Sequence, residues 1–353
     1  MRLRTLLATV TAMLAAATSL AAAGPAAAGP AAAGPAAADS SGTHACSSAV
    51  SIGSFSDALD KTAYDNTFVG NFSALSVDRD GDIAALSDRS ALFTLDRTTL
   101  APKSVVALAD EGGAALDSEG LVVDRDGTRL VASETEPSVR RYSRDGRILA
   151  RLPVPDALRG APAGRATVNQ TFEGLTLLPG GHTLLAGMEG SLSGDTGGVV
   201  RFQTWDRRHG EFRLGAQYGY AKDPGLGVSE TTATPDGRLL VLERGFTAGV
   251  GNTIRLYAAD LRHATDTSRI DTLTGQAGVR LVRKTLLADL VDCPTLGATA
   301  KQPQPNPLLD NIEGMTITGH DRTGRLKVLL VSDDNQGATQ ITRFYRLTVR
   351  STV

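Results

Sequence analysis

Acidic residues recur at corresponding places in five related segments of the chain. Each segment opens with an acidic or small polar residue at the start of an apolar run, and closes with an acidic residue after a second apolar run. These ten positions are Ser73, Asp88, Glu119, Glu134, Glu173, Glu189, Glu230, Glu243, Glu313 and Asp333. Nine of them are carboxylates. If the fold brings them together, some must take up protons, pair with cationic side chains or bind a metal ion.

The chemistry of these side chains favours a hard cation. Oxygen ligands without a His or Cys cluster suit calcium better than zinc, and the five histidines of the chain are scattered. Arg89 and Arg244 each directly follow one of the acidic positions and could pair with it. The predicted calcium ligands are Glu119, Glu134, Glu173, Glu189, Glu230, Glu243, Glu313 and Asp333. The alternative is that these carboxylates bind loop backbone and only fasten the strands together.

The five segments are predicted to be β-hairpins. They span residues 73–88, 119–134, 173–189, 230–243 and 313–333. Four of them contain an Asp-Gly or Gly-Gly pair, at 80–81, 126–127, 180–181 and 236–237. Such pairs tolerate the positive φ that tight hairpin turns require. A further strand-like run usually follows each hairpin, as in the segment NTIRLYAAD.

Short strands that recur along the whole chain, without a helical period between them, are typical of propeller blades. We therefore predict an all-β protein with a six-bladed β-propeller, five or seven blades remaining open. The longest interval, from Glu230 to Glu313, contains the apolar run 279–291. We expect a less regular sixth blade to be divided between that run and residues 47–72. In each blade the start of the first strand and the end of the second lie about 5 Å apart on one face, which would gather the carboxylates at one mouth of the channel.

The beginning of the chain indicates export. Arg2 and Arg4 precede an apolar stretch, and three Ala-Ala-Ala-Gly-Pro units follow it. Residues 1–38 are predicted to be a signal peptide with a low-complexity spacer, and residues 39–353 a single propeller domain of a secreted protein. The alternative for the apolar stretch is an uncleaved membrane anchor.

Cys46 and Cys293 are the two cysteines of the chain. In an exported protein such a pair usually forms a disulfide, the alternative being two free thiols. A strand from the N-terminus that completes the last blade would bring the two residues together.

The charge balance excludes one class of partner. Lys and Arg number 36 against 38 Asp and Glu, and no run of basic residues is present to neutralise a phosphate backbone. We expect no nucleic-acid partner and no stable membrane insertion. A small-molecule substrate and a monomeric protein are the remaining expectations.

Several motifs together resemble a known family. In chain order they are SEGLVVDRDGTRLVASE, NQTFEGLTLLPGGHTLLAGMEGSL, RLLVLERGF, DNIEGMTI and VLLVSDDN. From about residue 73 to 347 the chain is similar to the secreted family described as having esterase-like activity of phytase. The resemblance implies a phytase-like propeller with acidic functional groups. The positions that match the family pattern are Glu119, Glu134, Glu173, Glu189, Glu243, Arg244, Asn311, Glu313, Asp333 and Asn335.

The chain departs from the family pattern at two places. Glu230 lacks the glycine that follows the corresponding glutamate elsewhere, and Gln336 stands where an aromatic residue is expected.

The leading functional hypothesis is a secreted hydrolase, a calcium-assisted phosphoesterase that acts through the acidic ring. The candidate catalytic residues are Glu119, Glu173, Arg244, Glu313 and Asp333. One alternative is a propeller without catalytic activity that binds a ligand or partner through the same face. Another is a metal-dependent lactonase similar to the gluconolactonase and regucalcin propellers.

Overall fold

The computed structural model describes residues 44–350. The predicted signal peptide and spacer lie outside the described residues. The first strand, β1 (Val50–Ser56), is followed by a short hairpin of β2 (Thr62–Tyr64) and β3 (Thr67–Val69). No helix among the described residues is long and apolar enough to cross a bilayer.

Five four-stranded antiparallel sheets follow one another along the chain and form the blades of a propeller. Blade 1 contains β4 (Phe72–Val77), β5 (Ile83–Ser87), β6 (Ala91–Leu95) and β7 (Pro102–Ala107). Blade 2 contains β8 (Ser118–Val123), β9 (Arg129–Ser133), β10 (Ser138–Tyr142) and β11 (Ile148–Arg151). Blade 3 contains β12 (Phe172–Leu177), β13 (Thr183–Met188), β14 (Val199–Arg208) and β15 (Glu211–Ala221).

The last two blades complete the ring. Blade 4 contains β16 (Gly227–Ala233), β17 (Leu239–Thr247), β18 (Gly251–Asp260) and β19 (Arg283–Asp289). Blade 5 contains β20 (Ile312–His320), β21 (Leu326–Ser332), β22 (Phe344–Val349) and, as its outermost strand, β1. Each inner strand contacts the inner strands of both neighbouring blades, so β4, β8, β12, β16 and β20 surround the central channel.

The structure corrects the predicted number of blades from six to five. The only strand in the run 279–291 is β19, the outer strand of blade 4, and a short 3-10 helix (Leu290–Asp292) follows it in place of a further hairpin. Residues 47–72 provide β1 and the small β2–β3 hairpin instead of half a blade. Loop segments without strands, at 261–282 and 293–311, account for the rest of the long interval.

Closure of the ring agrees with the prediction for the N-terminal strand. β1 pairs antiparallel with β22, from Val50 opposite Val349 to Ser56 opposite Phe344. Cys46, just before β1, forms a disulfide with Cys293, just after the strands of blade 4. Both cysteines are buried. The predicted disulfide is therefore confirmed, and it ties the closing strand of blade 5 to blade 4.

The hairpin turns have the predicted geometry. Gly81, Gly127, Gly181 and Gly237 all have positive φ, between 68° and 91°. These glycines let the first two strands of each blade reverse direction tightly. The apolar faces of the blades then pack on one another, with the single tryptophan, Trp205, fully buried among them.

Candidate functional site

A bulge at the start of the inner strand re-aims one side chain in each blade. The pairing with the second strand shifts register around Ser73, Glu119, Glu173 and Glu313, in blades 1, 2, 3 and 5. A bulge leaves an extra residue outside the ladder and commonly redirects its side chain. Here the extra residue of each of these blades lines a cavity at one end of the channel.

The residue after the second strand is held beside each bulge by the backbone. The N–H groups of Asp88, Glu134, Glu189 and Asp333 each donate to a carbonyl two residues before the bulge, over 2.8–2.9 Å. These four side chains line the same cavity. The hairpin geometry therefore gathers two side chains per blade, as the sequence predicted for blades 1, 2, 3 and 5.

The cavity has a volume of about 480 Å³, and every side chain that lines it is polar or charged. We call it the carboxylate cavity. Its eight acidic residues are Asp88, Asp117, Glu119, Glu134, Glu173, Glu189, Glu313 and Asp333. The other lining residues are Ser73, Arg89, Asn169, Arg244, Asn311 and Asn335. Seven of the nine predicted carboxylates are thus brought together.

Blade 4 differs from the prediction by one residue on its second strand. Glu243 lies opposite Val228 in the ladder, so the following residue, Arg244, takes the position that acidic residues hold in the other blades. Glu243 is fully buried and accepts hydrogen bonds of 2.6 Å from Tyr220 Oη, on blade 3, and from Lys284 Nζ, on the outer strand of its own blade. Glu243 is therefore not part of the carboxylate cavity.

The inner strand of blade 4 is displaced in the same way. Its register shift is centred on Ser229, so Glu230 occupies the place that glycine holds in blades 2, 3 and 5. Glu230 is buried and accepts a hydrogen bond from the N–H of Thr231, 2.8 Å away. Its Oε1 would lie 2.6 Å from a Cβ on Gly174, against blade 3. Glu230 therefore also lies outside the carboxylate cavity. The motif lacks a glycine after Glu230 because Glu230 itself occupies the position of that glycine.

Asp117 lines the cavity although sequence reasoning missed it. It stands two residues before Glu119, as Asn311 stands two residues before Glu313. Its carboxylate accepts a hydrogen bond of 2.6 Å from Thr135 Oγ1. An alignment of the residues two positions before each bulge, in addition to the bulge residues themselves, could have identified Asp117.

Two overlapping groups of carboxylates have the spacing of cation ligands. Oxygens of Asp117, Glu119 and Glu134 lie within 4.8 Å of one another, and so do oxygens of Glu134, Glu173 and Glu189. Calcium binds oxygen ligands at about 2.3–2.6 Å, so two of its ligands are separated by at most about 5 Å. Within the described residues, this side of the cavity therefore fits calcium, with Glu134 shared by the two groups.

Burial and mutual repulsion raise the pKa values of the cavity carboxyls. Burial, together with Glu189 and Asp117, raises the pKa of Glu134 to about 7. Burial also raises the pKa of Asp88 to about 6, although the neighbouring Arg89 opposes the shift. The pKa of Glu173 lies well above its usual range because of burial and the surrounding glutamates. Without a cation, part of the cavity is protonated at neutral pH.

The cavity also contains a positive charge of its own. Arg244 Nη2 lies 2.8 Å from Glu313 Oε1 and 4.0 Å from Glu189 Oε1. Burial opposes ionisation of Arg244, but the carboxylates of Glu313 and Glu173 outweigh it and raise the pKa of the guanidinium. Asn311 Nδ2 also donates to Glu313 Oε1, over 2.9 Å. Glu313 is therefore compensated within the protein, and Arg244 also partly offsets the charge of Glu189 at the edge of the second carboxylate group.

Comparisons with known proteins give distant structural relatives. A gluconolactonase from Xanthomonas campestris has 15% sequence identity and a TM-score of 0.41, with 80% of this chain and 74% of that chain covered. A luciferin-regenerating enzyme has 13% identity and a TM-score of 0.40, with 80% and 79% covered.

The sequence comparisons are more specific. An "Uncharacterized secreted protein" of Arthroderma benhamiae is 31% identical where the two align, which is 25% of this chain and 22% of that protein. The chain therefore aligns with less than a quarter of that relative. The sequence model of the phytase-like family, described as "Esterase-like activity of phytase", matches residues 67–336. Because this match spans well over half of the chain and includes every residue of the carboxylate cavity, the protein belongs to the phytase-like family.

Proposed function

We propose that the protein is a secreted, calcium-assisted hydrolase that acts on phosphate esters at the carboxylate cavity. The observation that carries this proposal is the pair of carboxylate groups that share Glu134 inside an entirely polar cavity. Five residues would hold calcium: Asp117, Glu119, Glu134, Glu173 and Glu189. Membership of a family described by esterase-like activity supports ester hydrolysis.

The substrate class depends on the cation. A phosphate ester is anionic, and eight carboxyl groups against two arginines would repel it. When bound, calcium would offset this charge, polarise a phosphoryl oxygen and make a water molecule more acidic. Arg244, which lines the cavity close to Glu313 and Glu189, would bind a second phosphoryl oxygen.

Proton transfer would fall to a carboxyl outside the two calcium-binding groups. Asp88 lines the cavity, and its pKa of about 6 lies close to neutral pH. A carboxyl with such a pKa can both donate and accept a proton during turnover. We assign to Asp88 the donation of a proton to the leaving oxygen. Glu313 and Asp333, which share Asn311 as a hydrogen-bond donor, would orient the attacking water.

Export fits the covalent structure. The disulfide between Cys46 and Cys293 suits an oxidising compartment, and the curated relative is described as secreted. We propose a secreted monomer that acts on a small molecule.

The proposal is tested on purified protein, stripped of metal and then loaded with calcium. Hydrolysis of p-nitrophenyl phosphate, bis(p-nitrophenyl) phosphate and a lactone is compared in both forms. We expect phosphate-ester hydrolysis that requires calcium. The Glu173→Gln variant should lose about 100-fold or more in kcat/KM, because a lost metal ligand should cost at least as much as a lost outer-shell partner, for which about 10- to 100-fold is typical. The matched control is Glu211→Gln, an exposed glutamate on β15 that pairs with Arg213, which should behave as wild type.

Three results would contradict the proposal. Hydrolysis of phosphate esters without calcium would remove the metal from the mechanism. Hydrolysis of the lactone alone would favour a lactonase. Calorimetric binding of calcium without hydrolysis of any of these esters would favour a propeller that binds a ligand without catalysis.

A further inference from the structure

The hairpin of β17 and β18 rises above the carboxylate cavity, unlike its counterparts. β17 continues to Thr247, three residues beyond Arg244. In the other blades the second strand ends one residue before the corresponding acidic residue, at Ser87, Ser133, Met188 and Ser332. Blade 4 therefore adds a two-stranded projection to the rim of the cavity, and we call it the rim hairpin (residues 245–252).

The face of the rim hairpin that carries Phe246 also carries Arg244. A Cβ on Gly245, the residue between them, would lie 2.7 Å from Leu226 Cδ2 and 2.8 Å from the carbonyl oxygen of Gly225. That face of β17 is thus packed against the loop before β16. Because side chains alternate along a strand, Arg244 and Phe246 share the opposite face, about 7 Å apart. Arg244 lines the cavity, so Phe246 stands above it at the rim.

The tip of the rim hairpin exposes two large apolar side chains. Phe246 and Val250 are each 56% exposed, more than any other large apolar side chain among the described residues. The turn of the hairpin is closed by a backbone hydrogen bond of 3.0 Å from Val250 N–H to the Thr247 carbonyl. Gln304 Oε1 accepts a 2.8 Å bond from the N–H of Asn252 at the base of the hairpin. Exposed apolar side chains on a hydrogen-bonded hairpin beside a polar cavity are suited to binding an apolar group.

We infer that Phe246 is a specificity-determining residue that selects esters with an aromatic or alkyl organic group. This inference rests on the proposed function. The cavity is lined only by polar and charged side chains, so it can accept the charged head of an ester but offers nothing to an apolar remainder. That remainder would project through the mouth, where Phe246 on the rim hairpin would provide an apolar wall. A substrate whose organic part is a polyol with further phosphates gains nothing from this wall.

The test uses two probes that cannot be hydrolysed. Binding of phenylphosphonate and methylphosphonate to the calcium-loaded, full-length protein is measured by titration calorimetry, since both share a head group and differ only in the apolar part. We expect phenylphosphonate to bind on the order of 10-fold more tightly, which is about 1.4 kcal/mol. Phe246→Ala should abolish most of this preference, and Phe246→Leu should retain part of it. Leu286→Ala is the control, because Leu286 is 48% exposed on β19, away from the cavity.

Each outcome decides the inference. Equal binding of the two phosphonates, or a preference that survives in Phe246→Ala, would overturn it and leave the proposed function intact. A preference lost equally in Leu286→Ala would also overturn it. If neither phosphonate binds and no phosphate ester is hydrolysed, the proposed function itself fails, and the role of Phe246 fails with it.

Discussion

The carboxylate cavity should make the metal-free protein less stable as the pH rises from about 4.5 to about 7.5. Glu134 is 4% exposed, and its pKa is raised from the usual 4.5 to about 7, first by burial and then by Glu189 and Asp117. A carboxyl with a raised pKa binds its proton more tightly in the native than in the unfolded protein. Between the two pKa values the native state therefore holds more protons, and the free energy of unfolding falls as pH increases.

The size of the effect follows from the two pKa values. The pKa of Glu134 is about 7 in the native protein and 4.5 in the unfolded protein. Full ionisation of this carboxyl therefore lowers the free energy of unfolding by about 3 kcal/mol. Carboxylates with lowered pKa values affect stability mainly at lower pH, so they do not mask the loss of stability between pH 4.5 and 7.5. Asp223, for example, has its pKa held at about 2 by hydrogen bonds from Lys284 and Tyr257 that outweigh burial. Its contribution is complete above pH 4 and is lost only in more acidic solution.

The assay is urea unfolding followed by the fluorescence of Trp205, which is fully buried. Metal-free protein in EDTA is compared at pH 4.5, 6.0 and 7.5. We expect the wild type to lose at least about 3 kcal/mol across this range, which is the contribution of Glu134 alone. Glu134→Gln should lose clearly less, because its amide does not titrate. Calcium should reverse the trend at pH 7.5, adding about 2.7 kcal/mol at 100 times its dissociation constant.

The reasoning would be refuted by metal-free protein whose stability is flat or increases between pH 4.5 and 7.5. An equal loss in Glu134→Gln would assign the effect to other groups. Calcium that leaves the unfolding midpoint unchanged would refute the assignment of the cavity as a cation site.

Three further perturbations have expected outcomes. Replacing Cys46 and Cys293 by serine should lower the free energy of unfolding by about 2–4 kcal/mol, and an unchanged urea midpoint would contradict this. Gly174→Ala should lower the free energy of unfolding by about 1–3 kcal/mol, because the new Cβ would lie 2.7 Å from a backbone carbon of β16. The control is Gly197→Ala, whose Cβ would have no atom within 4 Å, and its free energy of unfolding should stay within about 0.5 kcal/mol of wild type. Arg244→Gln should tighten calcium binding in a calorimetric titration, since it removes a competing cation from the cavity; weaker or equal binding would count against that role.

Much of the fold could be predicted because it depends on local chemistry. The Asp-Gly and Gly-Gly pairs specify tight turns wherever they occur, and the apolar runs beside them specify strands. In blades 1, 2, 3 and 5 this was enough to place the acidic residues at one end of the channel, as with Glu119 and Glu134. The pairing of Cys46 with Cys293 was also accessible, because the chain offers no other partner.

The number of blades was decided only by the tertiary structure. A single strand in a long interval, such as β19, has the same sequence pattern whether it begins a new blade or completes the preceding one. The ring closes when the last inner strand, β20, contacts the first, β4, and this happens after five blades. Ring closure depends on how the inner strands pack against one another, and the local sequence of each strand does not specify it.

The exact register of blade 4 was also beyond the sequence. A bulge adds one residue without changing the apolar pattern, and a shift of one residue exchanges the two faces of a strand. In blade 4 this exchange turns Glu243 toward blade 3, buries Glu230 against Gly174 and brings Arg244 into the cavity. Local sequence specifies which hairpins carry acidic ends, whereas the packing of neighbouring blades selects which of those side chains meet.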